Sequence, residues 1–305
     1  MKHEKIIIAG GSGFIGQALT QNLLERGYEV AILTRRPKAD PSGAQQVLWD
    51  GKTLGPWAAE LDGARGIINL TGKNVDCRYT ANNRREILES RLDSVRVLGK
   101  VFRQSKKPPK FWIQAATTAI LGDAGEELRD ESASPGHGFS PEVAMAWEQA
   151  FNDEDIPHAR KVLFRISFVL GRDGGALNRL KWVTRCFLGG AVGSGKQYYS
   201  WIHIDDLNEM FHWAIERESI EGLYNATGLN PVRNAEFMSE LRAIMRRPWA
   251  PRAPTWLVRL GCCLLRTEPE LALRGRNCIP RRFVEAGFQH QFPTLKQALR
   301  NLIKP

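Results

Sequence analysis

The chain is short of cysteine, and what it has is badly placed for a cross-linked or metal-bound framework. Its five cysteines (Cys77, Cys186, Cys262, Cys263 and Cys278) are odd in number and contain no Cys-x-x-Cys pair. Disulfides and zinc are therefore not expected, and a reducing cytoplasm is the natural compartment. Long apolar runs are absent too. Trp256–Leu265 is apolar but holds Arg259, and it falls far short of the roughly 20 residues that cross a bilayer. It reads as a buried helix, and no membrane partner is expected. Met1–Lys5 leads into a strand, not a secretory core. A nucleic-acid module is also missing. The net charge is +10, but the basic pairs Arg35-Arg36, Arg84-Arg85, Lys106-Lys107, Arg246-Arg247 and Arg281-Arg282 are scattered, so no nucleic-acid partner is expected.

What the chain does have comes early. Residues Ile6–Gly16 read Ile-Ile-Ile-Ala-Gly-Gly-Ser-Gly-Phe-Ile-Gly, a buried strand running into a glycine cluster, with a helix pattern from Phe14. Gly11, Gly13 and Gly16 satisfy G-x-G-x-x-G, and Gly10, Gly13 and Gly16 satisfy G-x-x-G-x-x-G. The glycines allow a tight turn, room for phosphates and close packing of helix on strand, so the turn presents N–H groups to a dinucleotide pyrophosphate. The strand before it and the helix after it are the context that separates this motif from an ordinary glycine-rich turn.

Strand and helix patterns then alternate. Lys5–Ala9, Glu29–Thr34, Gly66–Leu70, Phe111–Ala116 and Lys161–Leu170 read as strands. Phe14–Arg26, Thr80–Gln104 and Glu142–Phe151 read as helices. This order predicts an α/β fold: a Rossmann-type, doubly wound parallel sheet with a smaller C-terminal substrate lobe. The expected division is a dinucleotide-binding domain over 1–170, completed by about 200–228, with 171–199 and 229–305 forming the lobe. Ligand should sit at the strand carboxyl ends, near Gly10, Thr34, Leu70 and Ala116. The second strand ends Thr34-Arg35-Arg36-Pro37, without the carboxylate that bonds an NAD ribose. Guanidinium groups attract a 2′-phosphate, so NADP is expected over NAD, with Arg35 ahead of Arg36.

Gly10–Gly16, Asn69-Leu70-Thr71-Gly72, Ser200–Leu207 and Asn225-Ala226 resemble the extended short-chain dehydrogenase/reductase superfamily. Glu86–Arg91, Gly189–Gln197, Pro280–Phe283 and Ala286–Phe288 are similar to its atypical epimerase/dehydratase-like branch with a DUF1731 C-terminal segment. The resemblance implies cofactor contacts from Gly10, Gly11, Ser12, Gly13, Phe14, Ile15 and Gly16, with Phe14-Ile15 covering the pyrophosphate. It further implies Thr34, Arg35 and Arg36 on the ribose side; Leu70, Thr71 and Gly72 after the next strand; Glu86 and Arg91 on the following helix; and Ala115 and Val169 nearer the nicotinamide. Arg91 has a second reading, as an ion-pair partner of its acidic neighbours. A homodimer through Thr80–Gln104 and Glu142–Phe151 follows by family analogy.

The superfamily's proton machinery is a Tyr-x-x-x-Lys pair with a serine. No tyrosine of this chain is followed by such a lysine, and the helix that should carry the pair reads Phe139 and Val143. Thr117 or Thr118 stands at the serine's strand end. Other candidate acids are Tyr79, Lys73, Ser140, Glu142 and Tyr199, and Trp201 with Tyr199 is expected to line the substrate side. His203 and Asp205 read as a structural strand–helix junction, not a metal site. Two functions stay open: an NADP-dependent oxidoreductase or epimerase-like enzyme on an unknown small molecule, and a cofactor-binding sensor or scaffold that lost its chemistry.

Overall fold

The computed structural model of the protein describes residues 4–38 and 42–303, so the first three residues of the chain lie outside it. The elements begin β1 (Lys5–Ala9), α1 (Phe14–Glu25), β2 (Glu29–Thr34), β3 (Gln45–Leu48), β4 (Gly66–Asn69) and α2 (Ala81–Gln104). They continue β5 (Phe111–Thr117), α3 (Phe139–Asn152), β6 (Arg160–Ile166), β7 (Phe168–Leu170), α4 (Gly175–Arg185), β8 (Tyr198–Tyr199) and β9 (Trp201–His203). The chain ends α5 (Ile204–Glu216), β10 (Gly222–Ala226), β11 (Val232–Arg233), α6 (Asn234–Ile244), α7 (Thr255–Leu264), α8 (Glu270–Leu273), α9 (Arg281–Glu285) and α10 (Leu295–Leu302).

A seven-stranded parallel sheet runs β3-β2-β1-β4-β5-β6-β10. Helices cover both faces, so its strands are apolar almost throughout rather than alternating; Ile6, Ile7 and Ile8 are all fully buried. Ile7 pairs with Ala31 of β2 on one side and Ile67 of β4 on the other. The chain winds outward from β1 to β3, then returns to β4 on the opposite flank. That reversal opens a crevice beyond the carboxyl ends of β1 and β4. β3 was not legible in the sequence: Gln-Gln-Val-Leu is half polar and half exposed, as suits an edge strand. The expected strand Lys161–Leu170 divides into β6 and β7, and β7 leaves the main sheet to pair with β9.

The C-terminal part is of two kinds. Phe283 and Phe288 join the main core, where Phe283 packs against Phe164 and Tyr224. α10 starts on a capping box between Thr294 and Gln297 and buries Leu295, Ala298, Leu299 and Leu302. His203 and Asp206 hold this tail in place. The Asp206 carboxylate accepts from the Gln291 and Phe292 N–H groups. His203 stacks on Phe292 at 3.8 Å, faces Asn301 Oδ1 through Nε2, and accepts the Asp205 N–H at Nδ1 as the cap of α5.

α7 is different, and it corrects the sequence reading. Trp256–Leu265 is helical but not buried. Cys262 is its only buried residue, while Trp256 is 67% and Leu264 77% exposed. Apolar composition makes a helix easy to bury only when another element offers a face, and α4, α6 and α10 have already closed the adjoining core. Among the described residues no helix is long and apolar enough to cross a membrane.

Candidate functional site

The turn after β1 is built on missing Cβ atoms. Gly10 has φ +76°, and a Cβ there would lie 3.1 Å from the backbone of Leu70 and Thr71. A Cβ on Gly11 would strike the Ile32 side chain at 2.9 Å, and one on Gly16 would strike Gly11 Cα at 2.4 Å. Gly13 is of another sort. Its Cβ would meet only Gly10 O at 3.6 Å, so nothing in the protein demands a glycine there. It is the N-cap of α1, where no side chain caps the helix and no acid occupies the first turn. The terminus keeps its partial positive charge and its free N–H donors.

Phe14 does not cover this turn with its ring. The turn after β7 holds the ring instead, since Cβ atoms on Gly171 and Gly174 would overlap it at 2.4 and 2.2 Å. What Phe14 offers the crevice is main chain. Ile15 packs on the core. Val169 is buried on β7, with its carbonyl toward Gly175.

At the end of β2, Thr34 Oγ1 donates to Ser12 Oγ at 3.1 Å and accepts from the Arg36 N–H, tying this strand end to the glycine turn. Arg35 and Arg36 are exposed and make no ion pair among the described residues. Asp50, two residues past β3, is spent on its own turn. It accepts from the Thr53 hydroxyl and the Lys52 and Thr53 N–H groups, which hold its carboxyl below the usual range.

A buried polar network sets the turn after β4, and sequence reading missed it. Asn69 Oδ1 accepts from the Thr71 N–H, while its amide donates to Ser94 Oγ and Gln114 Oε1. Gln114 in turn donates to the Ala115 carbonyl. The available signal was a polar residue inside each of two otherwise apolar strands, Gly-Ile-Ile-Asn and Phe-Trp-Ile-Gln. Thr71 Oγ1 is buried with no partner among the described residues. Gly72 follows, pressed on Arg91, whose Cζ would lie 3.1 Å from a Cβ.

Arg91 makes no ion pair among the described residues. Its Nη1 donates to the Lys73 and Ile87 carbonyls, and its guanidinium lies over the Trp147 ring at 4.9 Å. Burial pulls it down to about 10. The alternative of an ion pair with acidic neighbours is thus wrong, because Glu86 pairs with Lys73, Glu89 with Arg85 and Asp93 with Lys52. Glu86 is exposed and paired with Lys73, whose Nζ also reaches Asn83. Lys73 is therefore engaged rather than free.

At the start of α3, Phe139 stands where the proton-carrying tyrosine was sought. Tyr79, from the loop before α2, packs edge-on against it at 4.9 Å and is hydrogen-bonded to Ser140. Burial, the larger effect, raises the Tyr79 hydroxyl above its ordinary value, so it stays protonated at neutral pH. Glu142 is exposed on the first turn of α3. The helix is anchored from below by a bidentate pair, Glu148 to Arg165 of β6, with both contacts 2.8 Å. Beside Gly138 (φ +107°) lies Arg274, which also lines a polar cavity of about 530 Å³ with Asp123, Glu127, Arg129 and His137.

The other candidates are engaged within the fold. Thr117 Oγ1 caps a short turn by accepting the Ala119 N–H. Thr118 is buried against Cys278, whose thiol burial pushes up to about 11. Tyr199 and Trp201 do not line the substrate side. Tyr199 is bonded to Asn234 and pushed up to about 12 by burial, and Trp201 is 1% exposed with its Nε1 on the Asn230 carbonyl. Both joined the core because backbone and amide groups satisfied their polar ends.

The sequence profile of the NAD dependent epimerase/dehydratase family matches residues 6–226. The chain belongs to that family. A second profile, the domain of unknown function DUF1731, matches 253–302. The human Epimerase family protein SDR39U1 is 33% identical over 307 residues, spanning 98% of this chain and 99% of the relative. The Epimerase family protein YfhF of Bacillus subtilis (strain 168) is 31% identical over 302 residues, spanning 98% and 97%. The crystal structure of human SDR39U1 (isoform2) with NADPH matches with a TM-score of 0.88 at 32% identity, over 98% of each chain. A UDP-glucose 4-epimerase from Thermus thermophilus in complex with NAD shares the fold, with a TM-score of 0.75 at 15% identity over 98% of each chain. In this epimerase-family chain the first matched region carries the glycine turn, Arg91 and Tyr79. The DUF1731 region supplies Glu268, whose carboxylate accepts the Tyr79 N–H, and Arg274 at the cavity.

Proposed function

We propose that the protein holds NADP(H) across the carboxyl ends of β2, β1 and β4 and exchanges a hydride with a small molecule at the α3 end of the cleft. The α1 N-terminus carries this reading: it is uncapped, free of acid and open at Gly13, and its strand β1 lies two strands from β5, which leads to α3. Gly11, Ser12, Gly13 and the N–H groups of Phe14 and Ile15 would hold the pyrophosphate. Thr34 and Arg35 would take the phosphorylated ribose, and the unpartnered Thr71 hydroxyl is a ready donor beside them. Ala115 and Val169 belong to the nicotinamide end. The NADPH named with the human relative supports the choice of cofactor.

The bound nicotinamide supplies a hydride donor or acceptor. The protein's share is to exclude water, position a carbon and move a proton. Tyr79 is the residue for the last task, because its hydroxyl is protonated, bonded to Ser140 and placed against the ring of Phe139. The polar cavity beside Gly138 is the substrate's place in this reading. Five free cysteines support a reducing, cytoplasmic setting for it.

The test is an NADPH titration followed by a panel of carbonyl compounds and nucleotide sugars, read by loss of NADPH absorbance or by product exchange. Binding with turnover of one class supports an enzyme. Phe139 and Val143, neither of which carries a proton, favour a second reading as a cofactor-binding sensor. Tight NADPH binding with no oxidation or isomerisation across the panel would decide for that one.

A further inference from the structure

Three tryptophans of this chain are exposed, Trp182, Trp249 and Trp256, and all lie in one part of the C-terminal half. Trp256, Leu260 and Leu264 form an i, i+4, i+8 stripe on the outside of α7, the reverse of the usual orientation of an amphipathic helix. The surrounding elements touch one another. Arg247 lies over the Phe187 ring at 5.0 Å, the Ala253 N–H bonds the Ala191 carbonyl, and Asp76 joins Arg179 of α4 to Thr267 just past α7. These contacts bring the segments that carry the exposed apolar side chains together on the C-terminal half.

Its charge is mainly basic, with Asp76 and Glu268 the acids that act on Cys262 of α7. Residues 241–267 hold six arginines and no acid, and residues 174–204 hold four basic residues and no acid. These two stretches match the net charge of the whole chain, +10. Among the described residues, only Arg179 of the ten has a carboxylate partner. The backbone adds to the exposure. Phe187, Arg246 and Arg266, just past α4, α6 and α7, are the only non-glycine residues with positive φ among those described. Glycine would fit these positions better, yet they carry an aromatic ring and two guanidinium groups.

We propose that this face docks on the surface of an anionic phospholipid bilayer, with α7 lying in the interface. Tryptophan and leucine enter the acyl boundary while arginines pair with headgroup phosphates, so both halves of the surface are satisfied at once. A second copy of the chain fits poorly, because a twofold contact would set these cationic faces against each other. At ten residues, or about 15 Å, α7 is too short to span, but interfacial binding sets no such length. The expectation of no membrane partner rested on spanning alone.

Co-sedimentation tests this with vesicles of phosphatidylcholine, alone and mixed with phosphatidylglycerol, at low and high salt. The expected result is capture by the anionic vesicles only, weakened by salt. It should fall at least about tenfold in Trp256→Ser/Leu260→Ser and again in Arg246→Ala/Arg247→Ala. The first double variant changes exposed side chains and the second an exposed Arg246 with a half-buried Arg247, and unchanged far-ultraviolet dichroism and NADPH binding confirm that they fold. Absence of capture at low salt, or equal capture of the Trp256→Ser/Leu260→Ser protein, would overturn the proposal. So would light scattering showing a dimer that this variant dissolves, which assigns the face to a second copy.

Discussion

Helices α1 and α3 both begin at the carboxyl edge of the same sheet, and they are equipped for opposite tasks. α1 starts at a glycine with open space above it, no capping side chain and no acid in its first turn. α3 starts beside Phe139 with Glu142 in its first turn, and its inward face continues through Val143 to Trp147. Two arginines of α2 cover that face, Arg84 over Phe139 at 4.8 Å and Arg91 over Trp147 at 4.9 Å. An anion-binding terminus and a proton-carrying helix are therefore separable parts. This chain leaves the first open and fills the second with aromatic packing, with the Tyr79 hydroxyl, from another loop, beside it.

The strongest way to break the comparison is to dislodge α3. Glu148→Ala leaves Arg165 buried without its charge partner and should cost about 3–5 kcal/mol, read as a shift of the denaturation midpoint. A loss below about 1 kcal/mol would mean that packing alone holds α3. Next in size is Tyr79→Phe. It should leave NADPH affinity unchanged and lower turnover of any panel substrate about 100-fold or more. Equal turnover would return the proton-carrying role to an unassigned group.

The smallest effect concerns the tail docked on α5. Burial lowers both His203 and His290 below the ordinary 6.5, so each is neutral in the fold and takes up a proton more readily when unfolded. Their contribution is complete above about pH 6.5 and is lost on acidification, with a slope of up to about 1.4 kcal/mol per pH unit for each. Asp206 works the other way. Burial raises its carboxyl above 3.8, so in that lower window the folded state holds the proton. Melting curves from about pH 8 to about pH 5 should show a falling midpoint, lessened in His203→Gln; a flat profile contradicts the assignment.

Much of the sheet was legible because strands covered on both faces leave apolar runs such as Ile6–Ala9 and Phe111–Ile113. The glycine turn was legible because each tight contact demands a specific atom to be missing. Tertiary cover was not. α7 and the segment Tyr199–Trp201 are both rich in apolar and aromatic residues. The second is buried only because Asn234, Ala272 and Asn230 meet its polar ends. Local pattern does not encode whether a partner face exists. The Glu148–Arg165 anchor was hidden for a similar reason, since charged residues read as surface until the strand behind them is known. For Arg91 the sequence left a cofactor contact and an ion pair open, and its aromatic neighbour, Trp147, comes from a different helix.

We place the 2′-phosphate of the bound dinucleotide at the β1–α1–β2 end. Parallel fluorescence titrations with NADPH and NADH test it most directly, on the native protein and on Arg35→Ala. Tighter binding of NADPH by about tenfold or more, with that preference collapsing in the variant, is the predicted result. Equal affinity for the two cofactors, or a preference that survives loss of Arg35 and Arg36 together, would contradict it.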